Sequence, residues 1–387
     1  MKKRIYLAVA VLCTAITFSA CSNPFGAGAD TETENESKTP KKEESSVSSG
    51  QTRLVSVEHL EDYLSLSEYK GIEIEKSDTE VTEEEVSAKI QEILKENRGK
   101  TGSKATVQNG DLVTLNYVGT IDGKPFENNM AYYYDVVIGE GEMFSELEEG
   151  ILGMKKGETK TVACTYPLDY ENEEMAGKEA AFTITIQSIR RVPELTDKWV
   201  KKNTEFETAE AYTVSVREAL EAETEEKIKL HVWQTILTNS EVLEYPEKDL
   251  ENAAAAYKRQ ISLYAEQAKM DLEAFIESQG ITMDEFESQS QQYAEKKVKQ
   301  NLVVQAIMDE EGFSLDDEES LAIQDALMES YEAESLADFV DQYSQTKIDE
   351  SIGLLRVEEF IYKNIHIIEE YAETSDAEET SDTEAAE

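Results

Sequence analysis

The chain has 387 residues, and its 83 acidic side chains outnumber its 37 Lys and Arg side chains, which gives a formal net charge of -46 at pH 7. Because proteins bind a phosphate backbone through clustered Lys and Arg, this balance argues against a nucleic-acid partner. The three histidines, His59, His231 and His366, are scattered along the sequence. That spacing argues against a metal site and against a Ser-His or Cys-His catalytic pair, so we expect neither a metal nor another cofactor.

Residues 1–21 have the features of a bacterial lipoprotein signal. A basic start precedes an apolar run from Ile5 to Phe18, and small residues then lead to Cys21. The run is shorter than the roughly 20 residues that a membrane span needs, and a polar tract follows at once. The pattern resembles a lipobox, which implies cleavage before Cys21 and attachment of lipid to it. We therefore expect a protein anchored to the extracytoplasmic face of the cell membrane.

Two low-complexity stretches flank the part of the chain that can fold. Residues 22–54 are dominated by Gly, Ala, Ser, Thr, Glu and Lys, a composition that predicts a disordered tether. Residues 371–387 are strongly acidic and predict a solvated, disordered tail. Neither stretch has enough large apolar side chains to build a core.

Residues 55–103 are expected to form a strand and a lead-in helix. The strand is predicted between Tyr69 and Glu75. Thr82 and Glu85 have the spacing of a capping box, which marks the start of a helix. The apolar side chains of this helix recur at helical spacing as far as Asn97: Val86, Ile90, Ile93 and Leu94.

Residues 104–191 alternate in the manner of half-buried strands. Val113, Leu115 and Tyr117 are separated by polar residues, and the same period of two recurs around Phe182. Asp122-Gly123 has the chemistry of a hairpin turn. Together these signals predict a small antiparallel sheet around one helix, with Cys164 as a small buried apolar residue rather than a nucleophile.

The order of motifs in this segment resembles the FKBP-type peptidyl-prolyl isomerase domain. The motifs are Leu115-Asn116-Tyr117, Ile121-Asp122-Gly123-Lys124, Phe126, Glu148-Glu149-Gly150, Met154-Lys155-Lys156-Gly157-Glu158 and the alternating strand around Phe182. The resemblance implies catalysis of cis-trans isomerisation at X-Pro bonds. Rotation about such a bond meets a barrier of about 18–20 kcal/mol, because resonance gives the C–N bond partial double-bond character. A dry aromatic pocket lowers the barrier by removing the preference of water for the planar, more dipolar amide.

The family pattern also implies which side chains form the pocket. Carried over residue by residue, they are Tyr117, Phe126, Glu127, Tyr134, Met143, Phe144, Leu147, Tyr170 and Phe182. The resemblance makes Tyr170 a hydrogen-bond donor to the substrate carbonyl. Read from alternation alone, Tyr117 and Phe182 are more typical of core aromatics than of pocket residues.

Two adjacent positions depart from the family pattern. The floor of the pocket is usually an aromatic residue preceded by Gly, whereas this chain has Glu146 and Leu147 there. Leu offers no ring face, and a neighbouring carboxylate brings charge to a site that depends on dryness. A non-catalytic holdase chaperone, or a binding module that keeps the FKBP fold, is therefore the alternative function.

Residues 192–370 predict an all-helical domain of about 170 residues, long enough to have its own core. The predicted helices run from Phe206 to Asn239, from Leu250 to Gln279, from Thr282 to about Glu310, from Asp316 to Ala333 and from Leu336 to Asn364. Pro246 separates the first helix from the second, and Gly280 ends the second helix. Thr282 and Glu285 have the spacing of another capping box.

The order of the predicted strand, lead-in helix, FKBP-like segment and helices between residues 66 and 368 resembles trigger factor, a family of bacterial folding chaperones. The likeness includes Val192-Pro193-Glu194 and Tyr245-Pro246-Glu247 in the helical part. The ribosome-docking domain of that family has no counterpart here, and the signal and tether occupy its place. The resemblance therefore implies an α+β protein, an FKBP-like sheet followed by a trigger-factor-C-like helical domain. Its expected partners are unfolded or nascent exported polypeptides that contain proline, with no ribosome and with a membrane contact through lipid.

Overall fold

The computed structural model describes residues 52–173 and 175–369, without the side chains of Glu127 and Asn128. The predicted signal with Cys21, the tether up to residue 51 and the tail 371–387 lie outside these residues. Within the described ranges, no helix combines the length and the apolar character needed to cross a membrane.

The chain forms two compact units. The first unit is Val81–Ala222, and the second contains the described residues up to Glu80 together with those from Glu223 onward. The strands are β1 (Leu64–Ser65), β2 (Glu73–Glu75), β3 (Gly99–Lys100), β4 (Leu112–Ile121), β5 (Lys124–Val137), β6 (Thr159–Thr165), β7 (Glu179–Arg191), β8 (Glu241–Val242) and β9 (His366–Ile368). The helices are α1 (Glu83–Glu96), α2 (Ser145–Ile151), α3 (Asp197–Asn203), α4 (Ala209–Asn239), α5 (Glu247–Gln267), α6 (Leu272–Ser278), α7 (Met283–Glu311), α8 (Glu318–Ser330), α9 (Leu336–Tyr343) and α10 (Gln345–Lys363). The predicted architecture, a sheet followed by helices, is confirmed.

The first unit is built on an antiparallel sheet with strand order β3-β7-β4-β5, in which β6 also pairs with β7. The predicted alternation is observed, because Val113 and Leu115 on β4 are fully buried while Thr114 is not. Helix α2 packs against β6 at Gly150, where a Cβ atom would come within 2.5 Å of the Val162 side chain. A side chain at position 150 would therefore push the helix off the sheet.

The local signals at the start of this unit are confirmed. Thr82 and Glu85 form the capping box at the start of α1, each side chain accepting the other residue's backbone N–H. Asp122 and Gly123 have φ angles of 51° and 72°, as a tight hairpin turn between β4 and β5 requires. Helix α1 buries Val86 and Leu94 in a second cluster of the same unit, together with Val200 of α3.

The second unit is helical, and its main core is formed by apolar side chains of α4, α7 and α10. The segment before α1 contributes to this core as well, since Leu60, Leu64 and Tyr69 are buried in it. Strand β1 pairs antiparallel with β8, and β2 pairs in parallel with β9. The predicted segment 55–103 is thus divided between the two units at residues 80 and 81. Likewise, residues 192–222 of the predicted helical domain belong to the first unit.

The predicted boundary of the tether at residue 54 is wrong, because residues 53 and 54 belong to the folded part of the chain. Arg53 forms an ion pair with Asp309 at 2.8 Å, and the backbone N–H of Leu54 donates to Gln305 Oε1 at 2.7 Å. The side chain of Leu54 packs against the core of the second unit. The composition of residues 22–54 does not reveal these partners, because they lie some 250 residues away in sequence.

Two predicted helices are each broken in two. The segment 250–279 divides into α5 and α6, because Lys269 adopts a left-handed φ of 59° and Asp271 caps α6 through the N–H of Ala274. The segment 336–364 divides into α9 and α10 at Ser344, whose φ is 68°. Both breaks occur at non-glycine residues in the left-handed region, which carry no breaker signal in the sequence.

Candidate functional site

Seven aromatic rings of the first unit form one connected cluster, here called the aromatic cluster. Along the cluster, the ring centroids are separated by 5.9 Å for Tyr134–Tyr117, 5.7 Å for Tyr117–Phe182, 6.2 Å for Phe182–Phe126, 6.4 Å for Phe126–Tyr166, 5.0 Å for Tyr166–Phe144 and 4.7 Å for Tyr166–Tyr170. Every one of these pairs meets edge to face, which is a favoured geometry because it places the positive edge of one ring on the negative face of another.

The sheet brings these rings together from distant positions in the sequence. Tyr117 and Phe182 lie on the paired strands β4 and β7, and Tyr134 lies on β5 opposite Leu115. Phe144 is the N-cap residue of α2, and Tyr166 with Tyr170 follows the end of β6. The cluster therefore depends on the pairing of β4 with both β5 and β7.

The aromatic cluster has buried rings in the middle of this series and exposed rings at its two ends. Phe182 is 6% exposed and Tyr166 is 5% exposed, whereas Tyr134 and Tyr170 are 36% and 37% exposed. Tyr117 is half-buried between these extremes. The exposed rings Tyr134 and Tyr170 are therefore the parts of the cluster that solvent, and a ligand, can reach.

The structure places the residues that the resemblance implied as follows. Six of them belong to the aromatic cluster: Tyr117, Phe126, Tyr134, Phe144, Tyr170 and Phe182. Met143 and Leu147 pack in the same hydrophobic core, where Leu147 is 3% exposed and Met143 is half-buried. The side chain of Glu127 lies outside the described set. Glu146, the charge expected beside the pocket floor, is exposed.

Tyr166 belongs to the cluster but was not predicted from the sequence. It is the most connected ring, with Phe126, Phe144 and Tyr170 as partners. Burial, and then the nearby Tyr170, raise the pKa of Tyr166 to about 12. The available signal was its position two residues after the buried Cys164, where it continues the alternation of β6 just past the end of the strand.

Tyr117 is held neutral by the same physical cause. Burial raises its pKa, and Tyr134 adds to the effect. Both phenols therefore stay protonated near neutral pH. They present O–H groups that can hydrogen-bond a carbonyl oxygen without bringing a charge into the cluster.

Gly119 creates the space in which two of the rings lie. A Cβ atom at this position would come 2.6 Å from Phe182 Cε1 and 3.0 Å from Phe126 Cζ. The buried Asn129 side chain holds the same backbone by donating from Nδ2 to the Gly119 carbonyl oxygen at 2.6 Å. A glycine inside a strand is the sequence signal for such a close approach, and the sequence reasoning did not use it.

Glu148 positions the loop that carries Met143 and Phe144. Its buried carboxylate accepts hydrogen bonds from the backbone N–H of Gly139 at 2.8 Å and of Met143 at 3.2 Å. Hydrogen bonds to a carboxylate are stronger than neutral ones, so this one side chain ties both ends of the loop to α2. The resemblance placed Glu148 in the helix motif but gave it no role.

The geometry suits binding and desolvation rather than acid–base or covalent chemistry. The aromatic cluster offers apolar ring faces and neutral phenols, and such a surface takes up a flat, uncharged group. Within the described residues, no three His, Cys, Asp or Glu side chains are grouped so as to hold a metal ion. An X-Pro amide is a group of the required kind, since its isomerisation needs only a change of environment and of hydrogen bonding.

Comparison with known proteins gives two family matches in chain order. Residues 103–187 match the family of FKBP-type peptidyl-prolyl cis-trans isomerases, and residues 207–359 match the C-terminus of the bacterial trigger factor protein. The first match covers the whole aromatic cluster.

Relatives that align across both matched regions agree with them. The chain is 33% identical over 312 residues to the trigger factor of Caldicellulosiruptor saccharolyticus, an alignment that covers 79% of this chain and 71% of the relative. It is 33% identical over 261 residues to the trigger factor of Halothermothrix orenii, which covers 66% of this chain and 61% of the relative.

A solved chain described under "Promiscuous Substrate Recognition in Folding and Assembly Activities of the Trigger Factor Chaperone" superposes with a TM-score of 0.35 at 19% identity, covering 78% of this chain and 72% of that one. At this score the superposition adds nothing to the fold. By these matches the chain belongs to the trigger factor family and contains an FKBP-type isomerase domain followed by a trigger factor C-terminal region.

Proposed function

We propose that this protein is a lipid-anchored folding factor on the extracytoplasmic face of the cell membrane, which isomerises X-Pro bonds and holds unfolded exported polypeptides. The observation that carries the isomerase part is the aromatic cluster, whose rings Tyr134 and Tyr170 are exposed. The family matches support the chaperone part.

In this proposal the proline ring and its preceding amide bind at the exposed rings of the cluster and exchange water for ring faces. The planar amide is more dipolar than the twisted one, so loss of water favours the twisted transition state. Tyr170 donates a hydrogen bond to the substrate carbonyl, and Tyr117, Phe126 and Phe182 form the apolar wall. Phe144 closes the wall on the side of α2, together with Met143 and Leu147. By the family resemblance, Glu127 also belongs to this pocket.

The lipobox-like pattern before Cys21 supports the proposed location. In this setting the clients are proline-containing polypeptides emerging from export, and the protein works away from the ribosome. Metabolic labelling with a radioactive fatty acid tests the anchor. The full chain should incorporate label and sediment with membranes, and Cys21→Ser should do neither. Equal labelling of both would rule out the anchor.

A non-catalytic holdase is the second candidate, and Leu147 is the observation that favours it. Leu147 is buried at the predicted pocket floor and offers no ring to the substrate. The second unit also exposes apolar side chains that could hold an unfolded client without catalysis. They include Leu230, Leu243, Leu263, Met270, Leu321 and Leu336.

Proline-limited refolding separates the two candidates. The full chain should accelerate the slow phase of a client whose refolding waits on an X-Pro bond, and Phe126→Ala should reduce that acceleration at least tenfold. Phe206→Ala is the matched control, because Phe206 is a half-buried aromatic of the same unit that packs in a different cluster. Suppression of client aggregation without any effect on the slow phase would establish the holdase and reject the enzyme.

A further inference from the structure

A short strand and a turn lie along the same edge of β7 in the first unit. Lys100 of β3 pairs with Arg190, and the backbone N–H of Gly157, in the turn before β6, donates to the carbonyl oxygen of Ile186 at 2.7 Å. Strand β4 pairs with the other edge of β7 along this stretch, so β3 and the turn share the edge that β4 leaves open. Residues 186 and 190 are about 13 Å apart along a strand.

The loop after β3 returns to the same turn. Thr106 forms an isolated antiparallel bridge with Lys155. Lys104 lies two residues before this bridge, and Lys156 lies one residue after it. Backbone pairing therefore brings these three lysines to the edge of the sheet that carries Lys100.

This edge is basic in a chain that is strongly acidic overall. The segments 98–107, 153–158 and 186–191 form it, and they carry seven Lys and Arg side chains and one acidic side chain, Glu158. The carboxylate of Glu158 accepts the backbone N–H of Lys155 at 2.9 Å, which closes the turn. The whole chain, by contrast, has a formal net charge of -46. The three segments therefore form a local region of opposite charge.

Four of the seven basic side chains are exposed lysines, here called the basic edge. They are Lys100, Lys104, Lys155 and Lys156. Arg190 and Arg191 are already paired, with Asp135 at 2.8 Å and with Asp111 at 2.6 Å. Among the described residues, the four lysines have no acidic partner within ion-pair distance. An ammonium group that the fold leaves unpaired can bind an external anion without giving up an internal contact.

We propose that the basic edge docks the first unit on the anionic surface of a lipid bilayer. This inference rests on the proposed function, because lipid attached to Cys21 brings the protein to a membrane. Between Cys21 and the folded residue Arg53 there are 31 residues. A disordered chain of that length, as the composition predicts, spans roughly 30 Å, so the folded part stays within reach of the bilayer.

The charge of the rest of the protein does not prevent this contact. In physiological salt, charges separated by more than about 8 Å in solvent are largely screened from each other. Lysines that touch the surface therefore contribute attraction, while acidic side chains facing away from it contribute little repulsion. Clustered lysines are the usual means by which a protein surface recognises anionic lipids.

The test is co-sedimentation of the chain from residue 22 to residue 387 with lipid vesicles. This chain keeps every described residue and has neither the apolar signal nor the lipidated cysteine. It should bind vesicles made of equal amounts of phosphatidylglycerol and phosphatidylcholine, and it should not bind pure phosphatidylcholine. Each lysine at an anionic surface contributes about fivefold to binding, so Lys155→Gln with Lys156→Gln should weaken binding about 25-fold.

The matched control is Lys248→Gln with Lys296→Gln, which removes the same charge from two exposed lysines of the second unit. Its vesicle binding should equal that of wild type. Both double variants should unfold thermally as wild type does, because the four substituted side chains are exposed. An equal loss of binding in the two double variants would overturn the proposal, since net charge would then govern binding.

The remaining outcomes distinguish this inference from the proposed function. Labelling of Cys21 tests the anchor without these lysines, and the vesicle assay tests the basic edge without the anchor. Failure to bind the anionic vesicles, or equal binding to both kinds of vesicle, would overturn the basic edge. Sedimentation without vesicles is the last check. Oligomers that Lys155→Gln with Lys156→Gln abolishes would assign the edge to a second copy of the chain and also overturn the proposal.

Discussion

Phe182 fills the space beside the backbone of Gly119 so closely that a Cβ atom on residue 119 would lie 2.6 Å from Phe182 Cε1. Both residues belong to strands that pair with each other, and Gly119 lies directly opposite Phe182 in the β4–β7 register. The ring of Phe182 therefore lies across the backbone of Gly119, the residue with which it pairs. This crossing lets Phe182 contact both Tyr117 and Phe126.

Gly119→Ala should therefore displace the rings of Phe182 and Phe126. Overpacking of a closed core costs about 1–3 kcal/mol, and we expect the free energy of unfolding, measured with denaturant, to fall by that amount. Isomerase activity should fall with it, since the wall of the cluster moves. Gly102→Ala is the control, because no atom lies within 4 Å of its added Cβ. Equal stability of the two variants would contradict the close packing.

Glu148→Gln should loosen the loop before α2. Gln keeps one carbonyl oxygen but loses the charge, so two charge-assisted hydrogen bonds are weakened or lost. We expect a loss of about 1–2 kcal/mol in the free energy of unfolding. Hydrogen exchange at the amides of Gly139 and Met143 should become faster, whereas amides of β4 should keep their relative protection. Glu149 is the neighbouring residue and is exposed, so Glu149→Gln should change neither the free energy of unfolding nor the exchange of these amides.

The stability of the second unit should depend on the protonation of Glu358. Burial, and then repulsion from Glu226, raise the pKa of this half-buried carboxyl on α10 from its usual 4.5 to about 7, and Lys229 opposes the shift. The folded state therefore binds this proton more tightly than the unfolded state does. The resulting stabilisation is fully present below about pH 4.5 and is lost as the pH rises through 7.

Glu358→Gln removes the ionisation, so the variant should be more stable than wild type by roughly 1–3 kcal/mol at pH 8 and about equally stable at pH 4.5. Thermal unfolding at a series of pH values measures the difference. Glu251→Gln, at an exposed position of α5, is the control, and its thermal unfolding should show the same pH dependence as that of wild type. A difference between Glu358→Gln and wild type that did not grow with pH would contradict the assignment.

Cys164 should resist modification while the first unit is folded. It is 2% exposed, and burial, followed by repulsion from Glu146, raises the pKa of its thiol to about 11. The thiolate is the reactive form, so labelling at pH 8 should require opening of the sheet. Mass spectrometry of the peptide that contains Cys164 should show labelling that follows denaturant concentration. Rapid labelling of the folded protein would show that β6 opens locally.

Local signals in the sequence were sufficient where an element depends on its own residues. The capping boxes at Thr82 and Thr282 and the turn at Asp122-Gly123 each involve residues close in the chain. The breaks at Lys269 and Ser344 could not be predicted in this way, because neither residue favours the conformation that it adopts. Neither could β9, which is a strand only because β2 pairs with it.

The same distinction applies to the candidate site. Family resemblance supplied six rings of the aromatic cluster, but Tyr166 and Gly119 were found only in the folded structure. Their roles depend on which strands pair and in what register, and periodicity along one strand does not contain that information. Glu148 is similar, since its two hydrogen-bond partners lie outside its own helix.

By itself, the sequence determined which parts of this protein are sheet and which are helical, and their order: a capped lead-in helix, a half-buried sheet and then a helical region. Periodicity, caps and turns report interactions among residues a few positions apart, so one segment contains the whole signal. Only the tertiary structure decided that residues 53–76 join the helices beyond Glu223 and that seven aromatic rings meet. These outcomes depend on burial and on contacts across tens to hundreds of residues, where packing overrides local preference.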